Sequence, residues 1–164
     1  MRPALLAVLA LGGLASFGCA SAASRGVATA AARFQRDLGT ATLRDVERQV
    51  PRVLNRHQYE IERSDESPSL LTIETRWNPR YPFPDELERG VVQARTRLTL
   101  TARARARTGG AADIRVVELL AENMVQIGDS ATWQAEFMTP MFAQYLDGIA
   151  EELRTELQTG IRVH

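Results

Sequence analysis

The longest hydrophobic pattern in the chain is an alternation of small or apolar residues with polar residues over positions 91–107. The small and apolar group runs from Val92 to Ala106, and arginine, threonine or glutamine fills the positions between. A period of two sustained over this length predicts a β-strand with one buried and one wet face, because successive side chains of a strand point to opposite faces. The glycines at 109–110 predict a turn, and 114–121 predicts the next strand.

A β-hairpin is predicted before this long strand. In 57–63, Tyr59 and Ile61 alternate with polar residues, and the alternation returns over 70–77. The segment between them, 64–68, has the composition of a turn. We therefore expect two half-buried strands paired with each other.

Two helical patterns flank the strands. The first begins at Thr42 as N-cap, and its apolar spacing continues past Pro51, where we expect a kink in preference to an end. The second begins with Thr139 as N-cap and Pro140 as the first helical residue, and its apolar stripe extends to Leu157.

The order of these elements predicts an α+β domain over residues 41–164. We expect an antiparallel sheet of about four strands with two helices packed on one face, because amphipathic elements bury their apolar sides only against each other. Residues 122–135 are predicted to be a connector. Residues 23–40, rich in alanine, serine, threonine and glycine, are predicted to be a flexible tether.

Residues 1–22 have the pattern of a secretory signal peptide. Arg2 precedes an apolar run over 4–14, which is shorter than the roughly 20 helical residues that span a hydrocarbon core. Small residues follow the run, as they do at signal cleavage sites.

Two cleavage sites compete at the end of this leader. Gly18 and Cys19 resemble the bacterial lipobox, although Ser16 and Phe17 depart from its usual pattern, and 20–22 is a small-x-small site for ordinary signal peptidase. We favour lipid attachment at Cys19, the only cysteine in the chain. An alanine after the lipidated cysteine resembles lipoproteins that are sent to the outer membrane.

Composition narrows the function further. The chain has 164 residues and a formal net charge of zero, so electrostatic steering toward nucleic acid is not expected. The two histidines, His57 and His164, lack the spacing of metal ligands, and we expect no metal and no cofactor. Five carboxylates lie in polar segments, where we expect solvated charge and no acid–base pair: Asp85, Glu86, Glu88, Glu151 and Glu152. The sequence predicts a protein that is not an enzyme.

Arginines share the polar face of the long predicted strand. They could bind the phosphates of an anionic lipid surface. Alternatively, they pair with glutamates of neighbouring strands, and we favour this second interpretation. The positions are Arg95, Arg97, Arg103, Arg105 and Arg107.

A proline-rich loop at 77–84 carries the aromatic residues Trp77, Tyr81 and Phe83. Aromatic side chains on a stiff loop suit contact with a protein partner or a membrane surface. The alternative, which we favour, is that they fold back and cover the end of the sheet.

One stretch resembles a known class of protein. The segment RVLNRHQYEIERSD at 52–65, followed by LTIETRW at 71–77, is similar to the opening of the helix-grip domain in BamC (NlpB)-type outer-membrane assembly lipoproteins. The resemblance implies a helix-grip-like sandwich. It also implies a membrane-anchored lipoprotein that binds a protein partner of the cell envelope.

These observations together predict a non-enzymatic envelope lipoprotein that faces the periplasm, is anchored to the outer membrane, and binds a partner in envelope assembly or lipid transport. The alternative is a soluble periplasmic or secreted domain that binds a small or lipidic ligand between helices and sheet.

The lipid anchor gives the first testable prediction. Mass spectrometry of the mature protein should find a diacylated Cys19 at the N-terminus, and Cys19→Ala should move the protein to the soluble fraction. A mature chain that begins at Ala23 would contradict the anchor.

Overall fold

The structure, a computed structural model, describes residues 33–105 and 114–161. Within them the chain forms seven strands and three helices. In order they are β1 (Arg33–Thr42), α1 (Leu43–Arg56), β2 (Ile61–Glu66), β3 (Leu70–Thr75), β4 (Asn78–Arg80), α2 (Pro84–Leu87), β5 (Val91–Ala104), β6 (Ile114–Ile127), β7 (Gln134–Ala135) and α3 (Pro140–Ile161).

All seven strands belong to one antiparallel sheet. The main order is β1-β6-β5-β3-β2, so the two 14-residue strands β5 and β6 lie at its centre. Each also has a short additional neighbour: β4 pairs with β5 beyond β3, and β7 pairs with β6 beyond β1. The short strands therefore lie at one end of the sheet, together with α2.

The prediction of about four strands with two helices is wrong, because the sheet has seven strands and the described chain has a third helix. Strand β1 begins at Arg33, within the segment predicted to be a tether. Its buried residues, Phe34, Leu38 and Ala41, do not alternate, because the pairing with β6 shifts between Asp37 and Gly39. This bulge hides the period of two on which strand prediction depends.

The other missed strands have different causes. Strands β4 and β7 have three and two residues, too few to show a period. Strand β6 continues to Ile127, through part of the predicted connector, but Asn123 occupies one of its buried positions. A polar residue on the inner face interrupts the hydrophobic pattern although the strand goes on.

Several predicted elements are confirmed. The predicted hairpin exists as the antiparallel pair β2 and β3, but β2 begins at Ile61, continues to Glu66 through most of the predicted turn, and is largely exposed where a half-buried strand was predicted. Helix α1 contains Pro51 and continues to Arg56, and the Thr42 hydroxyl accepts the backbone N–H of Asp45 at 3.1 Å as an N-cap. The main core contains side chains of α1, α3 and the inward-facing positions of β1, β3, β5 and β6.

The last helix begins at Pro140 directly after Thr139, as predicted, but the Thr139 side chain does not supply the capping hydrogen bond. The Thr139 hydroxyl donates to the Asp85 carboxylate at 3.0 Å, and that carboxylate accepts the backbone N–H of Met141 at 2.9 Å. A residue of α2 therefore satisfies the free N–H at the start of α3. This contact joins the two helices at the end of the sheet that carries the short strands.

Strand β5 changes phase near its start. Val91 is buried and Val92 exposed, because the pairing with β6 shifts between Val91 and Gln93. The sequence pattern placed Val92 on the inner face, and this placement is wrong.

Two parts of the predictions lie outside the described residues: the leader 1–22 with Cys19, and Arg107. In the segments that are described, no helix is both long enough and apolar enough to cross a bilayer.

Candidate functional site

The proline-rich loop is fixed to the sheet and not free. Strand β4 pairs Asn78 with Thr96 and Arg80 with Ala94 of β5. The three aromatic residues predicted for a partner site then separate. Trp77 and Phe83 are partly buried, whereas Tyr81 is 94% exposed.

A buried ion pair holds this loop in place. Arg80 donates to both carboxylate oxygens of Glu86, at 2.6 and 2.7 Å, and the Glu86 side chain is fully buried. Glu86 also accepts the backbone N–H of Phe83 at 2.8 Å. Arg80 donates further to Thr96 of β5 and Asn123 of β6, both at 3.0 Å. The pair thus ties the loop and α2 to both central strands.

Aromatic rings surround the buried arginine. The guanidinium carbon of Arg80 lies 3.8 Å from the ring centre of Phe142 in α3 and 5.2 Å from that of Phe83. Phe83 also packs on Phe142 and Tyr145, with ring centres 5.6 and 5.8 Å apart. A cation over an aromatic face is stabilised most where water is excluded. Phe83 therefore covers the end of the core, while Tyr81 points to solvent.

The expectation of solvated carboxylates is wrong for two positions. Glu86 is buried by Arg80, and Asp85 caps α3. The sequence did contain a signal, since Pro84, Asp85 and Glu86 have the pattern of a helix start with acidic residues in its first turn. The partner of Glu86 lies six positions earlier, in β4, and only the folded chain brings the two charges together.

A buried tyrosine lies beside the same network. Tyr59 is nearly inaccessible, and its burial, followed by its contact with Tyr145, raises the pKa of its phenol well above the ordinary value of 10. Burial likewise raises the pKa of Tyr145. Both phenols stay neutral and serve as polar parts of the core.

An open cavity of about 330 Å³ adjoins Tyr81. We call it the aromatic groove. The residues that line it include Pro79, Tyr81, Pro82, Val92, Gln93 and Trp133. The phase change in β5 contributes Val92 to this surface. Trp133, from the segment before β7, was missed by the sequence analysis because it lies in the predicted connector.

Tryptophans also position two of the predicted arginines. The guanidinium carbon of Arg95 lies 4.2 Å from the ring centre of Trp133 and 4.9 Å from that of Trp77. The guanidinium carbon of Arg97 lies 4.8 Å from the ring centre of Trp77. It is bonded to Glu74 at 2.8 Å and Glu122 at 2.6 Å. This part of the arginine row is therefore engaged within the sheet.

The rest of the arginine row lies elsewhere. Arg103 and Arg105 are exposed, and Arg107 falls outside the described residues. Arg115 of β6, which pairs with Ala104 in the sheet, is buried. The structure thus brings Arg95 next to the aromatic groove through Trp133, holds Arg97 against Trp77, and leaves Arg103 and Arg105 near the opposite end of β5.

In comparisons with known proteins, no family model and no curated protein matches the chain. The resemblance to BamC-type lipoproteins stays a prediction.

Over residues 33–105 and 114–161, no group of three or more histidine, cysteine or acidic side chains could hold a metal ion. His57 bonds to Glu152 of α3 at 2.7 Å and links the end of α1 to that helix.

Removing the Glu86 carboxylate should lower the free energy of unfolding. Glu86→Ala leaves Arg80 buried without its carboxylate, so we expect a loss of about 3–5 kcal/mol in the free energy of unfolding, measured by urea titration. The double variant Arg80→Met, Glu86→Leu should lose less, because no unpaired charge remains. Glu60→Ala, which removes an exposed partner of Arg76, is the control and should leave the midpoint unchanged. An unchanged urea midpoint for Glu86→Ala would contradict the stabilising role proposed for the Arg80–Glu86 ion pair.

Alkaline pH should destabilise the fold through Tyr59. A phenol whose pKa is raised by folding stabilises the protein below its unfolded pKa of 10, and this stability declines as pH rises above 10. The chain contains no lysine, so tyrosines dominate titration in this range. Tyr59→Phe should reduce the decline in the free energy of unfolding, by at most about 1.4 kcal/mol per pH unit. Tyr81→Phe is the matched control, and equal slopes in the two variants would contradict the assignment.

Proposed function

We propose that the chain is a non-enzymatic lipoprotein of the cell envelope. It is exported, acylated at Cys19, anchored to the outer membrane with its domain in the periplasm, and it binds a protein partner in envelope assembly or lipid transport. The leader and its lipobox-like end support export and anchoring. The geometry of the aromatic groove supports partner binding.

One observation carries the binding proposal: Tyr81 is 94% exposed although its loop is fixed on both sides. Arg80, its neighbour, is tied to Glu86 and both central strands, and Phe83 is packed in the core. A large side chain held in place before binding loses little entropy when a partner covers it. Tyrosines of this kind are frequent among the residues that dominate binding energy.

The site is placed at the groove and not between the helices and the sheet. The space between α1, α3 and the sheet is occupied by the main core, with Leu98, Leu119 and Phe142 among its fully buried members. A small or lipidic ligand there would have to displace packed side chains. We therefore do not pursue the alternative of a ligand site between the layers.

The buried pair Arg80–Glu86 is assigned a positioning role. Glu86 already accepts hydrogen bonds from Arg80 and from the Phe83 backbone, and Arg80 donates to Thr96 and Asn123 as well. Groups that are engaged in this way orient the loop that carries Tyr81. The arginine row is not included in the binding surface, because Arg95 and Arg97 are engaged with tryptophans and glutamates.

Site-specific crosslinking tests this proposal. A photo-reactive residue at position 81 should give an adduct with one envelope protein in living cells, whereas the same residue at position 114, on an exposed residue at the opposite end of the sheet, should not. Tyr81→Ser should weaken co-purification of that protein by at least about thirtyfold, the effect of a residue worth 2 kcal/mol, and Tyr81→Phe should retain it. Equal adducts at 81 and 114, or full binding by Tyr81→Ser, would reject the groove as the binding site.

A further inference from the structure

Exposed large apolar side chains are concentrated at one end of the sheet. We call it the β4–β7 end, the end that carries β4, α2, β7 and the start of α3. Five of the seven such residues in the described chain lie there, and two of these, Tyr81 and Val92, belong to the aromatic groove. The remaining three form a separate surface, which we call the apolar rim: Leu87, Phe137 and Met141, exposed by 56%, 47% and 43%.

Contacts on either side of Leu87 connect α2 to the segments that carry the other two members of the apolar rim. The backbone N–H of Met141 is bonded to Asp85, two residues before Leu87. The guanidinium of Arg89, two residues after Leu87, lies 4.6 Å from the ring centre of Phe137 and pairs with Glu136. Leu87, Phe137 and Met141 thus lie on neighbouring segments of one end of the domain, with Arg89 over the Phe137 ring.

The chain enters the sheet on the side of this end. Arg33, the first described residue of β1, pairs with Glu122 of β6, and two positions further along the same edge Met124 pairs with Ala135 of β7. Because β1 is antiparallel to β6, Arg33 is the end of β1 that lies nearest to β7. At about 3.4 Å per residue, this point lies roughly 17 Å from the Ile127 end of β6 and roughly 27 Å from the Ile114 end.

The anchor must lie within reach of this exit point. Cys19 is 14 residues before Arg33, and a chain of that length spans at most about 50 Å. The β4–β7 end is nearer to Arg33 than the Ile114 end is. For the Ile114 end to face the membrane, the chain between Cys19 and Arg33 would use more than half of its reach to pass along β1.

We propose that the apolar rim rests on the phospholipid surface that holds the lipid anchor, an inference that depends on the proposed acylation of Cys19. Leu87, Phe137 and Met141 would enter the boundary between headgroups and acyl chains, where exposed apolar side chains lose contact with water. Arg89 lies over the Phe137 ring, so its charged end can stay among the headgroups. Glu88 is exposed beside Leu87, and its charge disfavours a strongly anionic surface, so we take zwitterionic phospholipid as the surface to be tested.

This orientation also constrains the partner. The aromatic groove and the apolar rim lie at the same end of the sheet, so a rim seated on lipid places Tyr81 and Trp133 close to the membrane surface. The partner segment in the groove would then come from a membrane-proximal part of the partner.

Fluorescent labels on the acylated full-length protein test the contact. The protein is reconstituted in phosphatidylcholine nanodiscs that contain a nitroxide lipid, with one cysteine introduced by Leu87→Cys, Met141→Cys or, as control, Val116→Cys. The exposed fraction of Val116, 40%, is similar to the 43% of Met141, but Val116 lies at the opposite end of the sheet. Labels at 87 and 141 should be quenched at least threefold more than the label at 116. Equal quenching, or stronger quenching at 116, overturns the proposal.

A second measurement separates the rim from the anchor. The mature Cys19→Ala chain should bind phosphatidylcholine vesicles weakly, and replacing all three rim residues by serine should lower its partition coefficient on the order of tenfold. The control Ile114→Ser, Val116→Ser should leave it unchanged, and thermal melting checks that each variant folds. If Cys19 is acylated but the rim variants bind as before, the anchor stands and the rim fails. If the labels are protected only when the crosslinked partner is added, the rim belongs to a protein interface and the lipid proposal is rejected.

Discussion

The buried ion pair between Arg80 and Glu86 fixes the end of the sheet where the candidate site lies. Two charges can be removed from water only if their remaining hydrogen-bonding groups are satisfied. Here the backbone of Phe83, Thr96 of β5 and Asn123 of β6 supply those bonds. The cost of burial is therefore offset by contacts that connect β4, α2 and both central strands. A loop with three prolines becomes a fixed part of the domain.

The fixed loop divides its aromatic residues between two tasks. Phe83 packs with Phe142 and Tyr145 and closes the core, whereas Tyr81 extends into solvent beside Trp133. The two interpretations weighed for this loop, core cover and contact surface, thus apply to different side chains. A surface that is rigid before binding favours specific recognition, since little ordering remains to oppose it.

Most of the exposed apolar features lie on the same side of the molecule. The aromatic groove, the apolar rim and the point where the chain leaves β1 are all near the β4–β7 end. The opposite end carries the exposed Arg103 and Arg105. An anchored domain with this arrangement would hold its contact surfaces close to the membrane and its exposed arginines away from it.

The sequence alone determined the elements that have long, uninterrupted periods. These are α1 with its Thr42 cap, β3, most of β5 and α3, because each buries one face over several residues. The tertiary structure decided the rest. Strands β4 and β7 are too short to form without the edges of β5 and β6, and the bulge near Gly39 hides β1. Glu86 looked solvated because its partner is brought to it only by folding. Charge burial depends on neighbours in space, which local periodicity does not encode.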